Sequence, residues 1–326
     1  MKDWQDGDLL SIVTPVYNEA DNLPVLYERI ESVLKEAGVD WEWLLVDDHS
    51  ADESFKIVNL LSEKAPEGRI RGYRFSRNQG SHTAIMCGFE KAQGNCAVIL
   101  AGDCQDPPET IPDLLNEWAK GYSVVWAVRR KREGEKASTL AFARIYYWLM
   151  RTMVGIKNMP SSGADFFLLD RRAMRAVTRY REQNVSVLAL LSWIGFTQSF
   201  IEYDKQPRLH GQTGWSLRKK LKLVIDSITS FTYAPVRIMS YLGVCTSFLG
   251  FAYAMLVIFN AIYLQTAVEG WSSLMVVILV TGGAQMLMMG VLGEYLWRAL
   301  DESRRRPRYV IEDEVEPKAG EVGGEK

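Results

Sequence analysis

The sequence predicts an α/β sandwich on a largely parallel sheet, followed by an interfacial amphipathic helix and two transmembrane helices. Three observations carry this reading. Up to about residue 216, apolar runs of strand length alternate with amphipathic stretches, the rhythm of βα units on a parallel sheet. From Ile238 to Val268, 31 residues carry no charge or histidine, and from Gly270 to Gly293 another 24; each run exceeds the roughly 20 residues needed to cross a bilayer core. Just before them, Leu217, Leu221, Val224, Ile225, Ile228 and Phe231 fall on one helical face, with Arg218, Lys219, Lys222 and Asp226 on the other. A helix of that pattern lies at a membrane surface.

The strand readings, in order, are LLSIVTPVY, WEWLLVDD, IRGYRFS, CAVILA, YSVVWAV and DFFLLD. Helix-like stretches at 21–37, 52–64, 81–93 and 109–119 separate most of them. These assignments divide the chain into a soluble domain at 1–216, an interfacial helix at 217–234 and a hairpin at 235–298, with spans near 236–264 and 272–297. The Glu- and Gly-rich tail, 299–326, has few apolar groups to bury after Pro307 and reads as largely disordered.

Bulk properties exclude several classes. A net charge of −2 gives no global electrostatic case for nucleic acid. Cys87, Cys96, Cys104 and Cys245 lack CxxC spacing and the three histidines lie far apart, so neither a disulfide framework nor a zinc site is signalled. The cysteines read as small buried apolar residues. The segment MKDWQDGDLL runs into a strand without a signal-peptide pattern, which keeps the first two hundred residues in the cytoplasm. Arg218, Lys219, Lys220, Lys222 and Arg237 precede the hairpin and Arg298, Arg304, Arg305, Arg306 and Arg308 follow it, whereas the turn offers only Glu269. By the positive-inside bias, both ends of the hairpin face the cytoplasm. The stripe of Met286, Met288 and Met289 with Gly282, Gly283, Gly290 and Gly293 suits helix packing and homo-oligomer contacts.

In sheets of this kind ligands sit beyond the carboxyl ends of the strands. The first strand ends in Pro15, Tyr17, Asn18 and Glu19, the second in Asp47, Asp48, His49 and Ser50, and the fourth in Asp103, Gln105 and Asp106. Carboxylates gathered there suit a hard cation such as Mg2+ or Mn2+, or hydrogen bonds from a base or ribose. Helix capping is the better account of Ser50 and Asp52. His82 and His210 are open to either phosphate contact or structural hydrogen bonding.

The strings SIVTPVYNEADNLP, LLVDDHSADES, FSRNQGSHTAIMCGFEKAQG and AGDCQDPPE resemble the nucleotide-sugar half of family 2 inverting glycosyltransferases. VVWAVRRKREGE, SGADFFLLDRRAM, PRLHGQTGWSLRKKLKL and GVLGEYLWRALDESRRRPRYVIE extend the likeness, within that family, to polyprenyl-phosphate mannosyl- and glucosyltransferases. The resemblance implies a GT-A catalytic domain, a nucleotide-sugar donor, a polyprenyl phosphate acceptor, and Mg2+ or Mn2+. UDP-glucose is the favoured donor and GDP-mannose the second. It also implies an integral membrane protein of the bacterial inner membrane, surrounded by membrane lipids, with the catalytic domain and both termini cytoplasmic.

Carried over by position, Pro15, Tyr17, Glu19 and Asp47 match residues that hold base and ribose, with Asp48 beside them. Asp103 and Gln105 match the metal and diphosphate site, and Arg129 matches a basic residue beside the diphosphate. Arg208, with the segment to Lys219, resembles the loop that closes over donor and lipid phosphate. Where the family often has an acid two residues before Asp103, this chain has Ala101, which removes one acidic metal ligand. Asp165 is a candidate acid that orients acceptor or sugar, or a hydrogen-bond acceptor at the start of a strand. A lipid phosphate is already an anion, so the resemblance implies catalysis by Asp103, Asp165, Arg129 and Arg208 without a strong general base.

Two other readings remain open. A polysaccharide synthase carries a Q-x-x-R-W motif, whereas Gln212 here is followed by Thr213, Gly214 and Trp215. A non-catalytic nucleotide-sugar-binding membrane scaffold is suggested by Ala101.

Overall fold

Among the described residues, eight strands form one sheet. The computed structural model describes residues 7–66, 68–130, 165–180, 182, 186–207, 209, 226, 229, 231–264 and 270–315. Its elements are β1 (Leu9–Val16), α1 (Asn22–Ala37), β2 (Asp40–Asp47), α2 (Ser54–Lys64), β3 (Ile70–Phe75), α3 (Ser81–Lys91), β4 (Cys96–Ile99), α4 (Ile111–Ala119), β5 (Val124–Arg129), β6 (Phe166–Asp170), α5 (Arg171–Thr178), α6 (Val187–Ile194), β7 (Gln198–Tyr203), α7 (Ala234–Phe259), α8 (Trp271–Ser303) and β8 (Ile311–Val315). They divide into one unit of residues 1–227 with 307–326 and a second of residues 228–306.

In the first unit the strands lie in the order β7-β5-β6-β4-β1-β2-β3-β8, with β1 parallel to β2 and β4, β2 to β3, and β5 to β7. The strand β6 runs antiparallel to both β4 and β5. The central strands are buried on both faces, which is why they read as near-continuous apolar runs. On one face Leu10, Ile12, Trp43 and Leu45 meet Leu23, Leu26 and Ile30 of α1, together with residues of α2 and α4. Those α1 positions follow helical spacing, and Gly38 closes the helix in the left-handed region at φ 65°. On the opposite face α3 lies so close to β1 that a Cβ on Gly88 would stand 2.1 Å from Val13 Cγ1. The buried Thr14 hydroxyl accepts the Trp43 indole N–H at 2.8 Å, which satisfies a donor that burial would otherwise strand.

Two strands differ from the sequence reading. The segment 198–203 forms an edge strand, and the tail that reads as disordered contributes β8, antiparallel to β3. The cause is cross-chain pairing: Ser76 N–H donates to Val310 O at 3.0 Å, Tyr309 stacks on Phe75 at 5.0 Å, and Lys91 pairs with Glu314 at 3.7 Å. These partners lie far away in sequence, so tail composition does not reveal them. Residues 316–326 lie outside the described residues, as do 217–225 and most of the expected interfacial helix.

Among the described residues, two helices are long and apolar enough to cross a membrane, and both lie in the second unit. Ala234–Phe259 has a mean hydropathy of 2.1 and Leu274–Ser303 of 2.0. Tyr241, Phe248 and Phe251 are all more than two-thirds exposed, an apolar surface that water does not tolerate over such a length. Arg237 lies over the Tyr233 ring at 4.2 Å, and Arg304 over Trp297 at 5.5 Å; such aromatic and cationic groups mark the ends of spans. Cys87, Cys96 and Cys104 are buried as expected, whereas Cys245 is exposed on α7.

Candidate functional site

The loops that follow β1, β2 and β4 open on the same edge of the sheet, because these three strands are parallel neighbours. Each loop contains a non-glycine residue in the left-handed region: Asn18 at φ 57°, His49 at φ 60° and Cys104 at φ 57°. Among the described residues only one other non-glycine residue, Arg305, has a positive φ. Such backbone costs about 1–3 kcal/mol each and gathers at functional sites, so this edge is where the fold concentrates strain.

The first two loops are laced together. Asn18 N–H donates to Ser50 Oγ at 2.9 Å, and Ala51 N–H donates to Asn18 Oδ1 at 2.8 Å. The Ser50 hydroxyl donates in turn to Asp47. Ser50 therefore bridges loops rather than capping α2, contrary to the sequence reading. Asp52 does act at that helix start, accepting Ser54 N–H at 3.0 Å. Glu19 N–H donates to Ser54 Oγ at 2.8 Å, and Asn22 Nδ2 donates to the Glu19 carboxylate. Pro15 is half-buried and Tyr17 is 50% exposed.

Asp47 and Asp48 are both buried, and their carboxylates hold backbone. Asp47 accepts Ser50 N–H at 3.2 Å and pairs with Arg74 at 3.2 Å. Asp48 accepts Gln79 N–H, and Gly80 N–H at 2.8 Å, so it fixes the turn that opens α3. Burial pushes both carboxyls above the ordinary carboxylate value, against Ser50 and Arg74 for Asp47 and against the two backbone amides for Asp48.

The third loop carries the acids Asp103 and Asp106. Gln105 N–H donates to Asp103 Oδ1 at 3.2 Å, which folds the turn over its own carboxylate. Ala101 and Gly102 precede it, and a Cβ on Gly102 would stand 3.4 Å from Glu19 Cγ. Asp106 is fully buried and accepts the Tyr203 hydroxyl at 2.6 Å. Lys205 stands 3.6 Å from the same oxygen.

Arg129 closes the site from the end of β5, pairing with Asp165 at 3.2 Å. The two meet because Arg129 ends β5 and Asp165 opens the antiparallel β6. Burial works against the Arg129 charge, but Asp165 and the Tyr203 hydroxyl outweigh it and raise its pKa above the ordinary value. His82, the second residue of α3, faces Asp165 electrostatically; burial lowers its pKa and leaves its Nδ1 without a hydrogen-bond partner.

Asp103, Gln105, Arg129 and Asp165 thus lie on one edge with Pro15, Tyr17, Glu19, Asp47 and Asp48. Arg208, His210 and Lys219 lie outside the described residues. Sequence reasoning missed Arg74, Tyr203 and Lys205, and gave Asp106 no role. Asp106 adjoins the Asp103-x-Gln105 pattern and was within reach of that reading. Tyr203 was hidden because β7 itself was not read.

Residues 11–178 match the model of glycosyl transferase family 2. The chain is 39% identical over 302 residues to the uncharacterized glycosyltransferase YkcC of Bacillus subtilis (strain 168), covering 93% of each chain. It is 32% identical over 302 residues to the prophage bactoprenol glucosyl transferase homolog of Escherichia coli (strain K12), with 93% and 98% covered. It is 36% identical over 312 residues to the undecaprenyl-phosphate 4-deoxy-4-formamido-L-arabinose transferase of Pectobacterium carotovorum, with 94% and 93% covered. Among solved structures, mannosyl-3-phosphoglycerate synthase from Rubrobacter xylanophilus superposes with a TM-score of 0.48 at 17% identity, over 68% of this chain and 71% of that one. With its family model running from β1 to α5 and its relatives spanning nearly the whole length, the chain belongs to glycosyl transferase family 2, as a glycosyltransferase with a GT-A-like domain.

Proposed function

We propose that this glycosyltransferase moves a hexose from a nucleotide-sugar to a polyprenyl phosphate at the cytoplasmic face of a membrane, with inversion at the anomeric carbon. The observation that carries the reading is the Asp103–Gln105 turn and the Arg129–Asp165 pair on one sheet edge, in a chain that also carries two helices of membrane-crossing length. Relatives named for bactoprenol and undecaprenyl phosphate align over 93–94% of the chain, hairpin included. A donor site alone needs no membrane attachment, whereas a lipid acceptor lies in the bilayer that such a hairpin is long enough to cross.

In the reaction, a phosphate oxygen of the acceptor bonds to the anomeric carbon as the bond from that carbon to the diphosphate oxygen breaks. The nucleoside diphosphate leaves with the electron pair. The acceptor phosphate is already ionised, so no residue has to remove a proton. Arg129 stabilises the charge that grows on the diphosphate, a group that its planar fork suits. Asp165, 59% exposed at its side chain, keeps the guanidinium turned towards the site and is free to orient a sugar hydroxyl. Tyr17 and Pro15 receive the base, Glu19 and Asp47 shape the ribose end, and Arg208 and Lys219 cover donor and lipid phosphate.

The donor set fits a divalent cation of the hard class. The Asp103 carboxylate and Gln105 amide offer oxygens only, and among the described residues no group of three or more His, Cys, Asp or Glu could enclose an ion. Mg2+ or Mn2+ held by one or two protein oxygens takes its remaining ligands from phosphate and water. Bound there, the ion neutralises diphosphate charge.

UDP-glucose is the proposed donor, with GDP-mannose second, and both termini are placed on the cytoplasmic side. The test is a panel of UDP- and GDP-hexoses offered to the full-length protein in vesicles containing polyprenyl phosphate. One donor, UDP-glucose on this reading, should turn over in the presence of Mg2+ or Mn2+; turnover with GDP-mannose alone would overturn the donor assignment.

A further inference from the structure

Asp106 is the acid at the sheet edge whose burial most needs a reason. It is fully buried in the loop after β4, and burial pushes its pKa up despite Lys205 and the Tyr203 hydroxyl. Its Oδ2 has no hydrogen-bond partner. A desolvated carboxylate with one unsatisfied oxygen is a poor stabiliser, and an apolar replacement is often neutral or better for stability. Its presence therefore points to what its other oxygen does.

That oxygen, Oδ1, accepts the Tyr203 hydroxyl at 2.6 Å. Arg129 stands opposite Tyr203 in the register of the neighbouring parallel strands β5 and β7, and the hydroxyl helps to hold the pKa of the guanidinium up. A tyrosine hydroxyl has a single proton, so the strong acceptor at Asp106 decides where it points and which lone pairs are left for Arg129. The relay is braced on both sides. Gln206 N–H donates to Gln105 O at 2.8 Å, and Gln105 Nε2 donates to Gln206 O at 3.4 Å. Arg130 N–H also donates to Tyr203 O at 3.0 Å. The ends of β5 and β7 and the loop after β4 are thereby held in one register around a single hydroxyl.

We propose that Asp106 is a positioning residue for sugar transfer, which acts through the Tyr203 hydroxyl to fix the Arg129 guanidinium beside Asp165. The proposal rests on the role given to Arg129 as the cation that receives the leaving diphosphate. Asp106 itself touches no reacting atom. Asp165, the ion-pair partner, has a largely exposed side chain, whereas the Tyr203 hydroxyl, anchored on the buried Asp106, is a fixed neighbour of the Arg129 guanidinium. The hydroxyl supplies the second point that defines its direction, and misplacement of such a group by about 1 Å costs roughly a hundredfold in rate.

The test uses the full-length enzyme, with kcat expressed per donor-binding site. Tyr203→Phe, which removes one oxygen, and Asp106→Ala should each lower kcat by roughly ten- to a hundredfold, with donor affinity within about threefold of wild type. Asp106→Asn keeps an acceptor oxygen and should fall between Asp106→Ala and wild type. The double variant should be no slower than the slower single variant, because both cut one relay. Unchanged kcat in Tyr203→Phe, or effects that multiply in the double variant, overturns the proposal. A crystal structure of Tyr203→Phe gives a readout independent of the acceptor: displacement of the guanidinium is expected, and an Arg129 that keeps its 3.2 Å contact with Asp165 overturns the relay. Failure of the acceptor reading looks different, since wild type itself would then make no lipid-linked sugar.

Discussion

Gly88→Ala adds one methyl group where the structure has no room for it. A Cβ at this position would lie 2.1 Å from Val13 Cγ1 and 3.0 Å from Cγ2, whereas ordinary contact begins at 3.4 Å. Val13 is fully buried in β1, and its branched side chain is stiff at χ1, so rotation does not relieve the clash. Two effects oppose each other. Alanine gains about 1 kcal/mol over glycine in helix propensity, while overpacking a core costs about 1–3 kcal/mol. An overlap of this depth belongs at the upper end, so the net loss is about 1–2 kcal/mol. For a domain of this size that lowers Tm by about 3–6 °C. The strain also reaches the site, because α3 starts at the turn held by Asp48 through Gly80 N–H. Val13→Ala removes both clashing methyls; alone it leaves a cavity, and with Gly88→Ala part of that space is refilled. Thermal unfolding of the four proteins in detergent should show a double variant more stable than the two single losses predict, by about 1 kcal/mol. Strict additivity, or a Gly88→Ala protein that melts at or above wild type, refutes the packing argument.

Three further outcomes are expected. Asp103→Asn should reduce turnover at least tenfold, roughly 1.4 kcal/mol, and EDTA should abolish wild-type activity; full activity in EDTA would rule out the cation. Arg129→Lys keeps the charge but loses the fork, and should lower kcat by roughly a hundredfold with little change in donor affinity, read in steady-state kinetics beside calorimetry. The third concerns pH. The folded pKa of Asp106 lies above its unfolded value, so the native state binds more protons in between, and the contribution of this group to stability, present below the unfolded value, is lost as pH rises through the folded value. Melting curves from about pH 4 to pH 7 should therefore move in favour of Asp106→Asn relative to wild type as pH rises, and a constant difference would contradict the burial argument.

The fold was legible where burial is two-sided. β1, β2 and β4 are largely apolar runs bounded by turn residues, and β3 is buried along nearly its whole length although it carries Arg71 and Arg74; their predicted ends fall within about two residues of the observed ones, as expected for buried parallel strands. β7, QSFIEY, lies at an edge with mixed exposure, so it lacks that signature. β8 has three acids in five residues and becomes a strand only because Arg74, His49 and Lys91 stand opposite its glutamates. The strand-end acids were legible because parallel strands send their loops to one edge. Their partners were not: Asp106 and Tyr203 are 97 residues apart, and no local pattern joins them. That the Asp47 and Asp48 carboxylates hold Ser50, Arg74, Gln79 and Gly80 was equally invisible, since it depends on how two loops pack.

The most direct measurement of the central claim is the movement of label from a nucleotide-sugar into lipid. Full-length protein in vesicles with polyprenyl phosphate, Mg2+ or Mn2+ and radiolabelled donor should release nucleoside diphosphate and place an equal amount of sugar in the organic phase. The product should be a polyprenyl-phosphate sugar whose anomeric configuration is opposite to that of the donor. A protein that binds donor but transfers no label from any UDP- or GDP-hexose to the lipid would contradict the account and favour a nucleotide-sugar-binding scaffold.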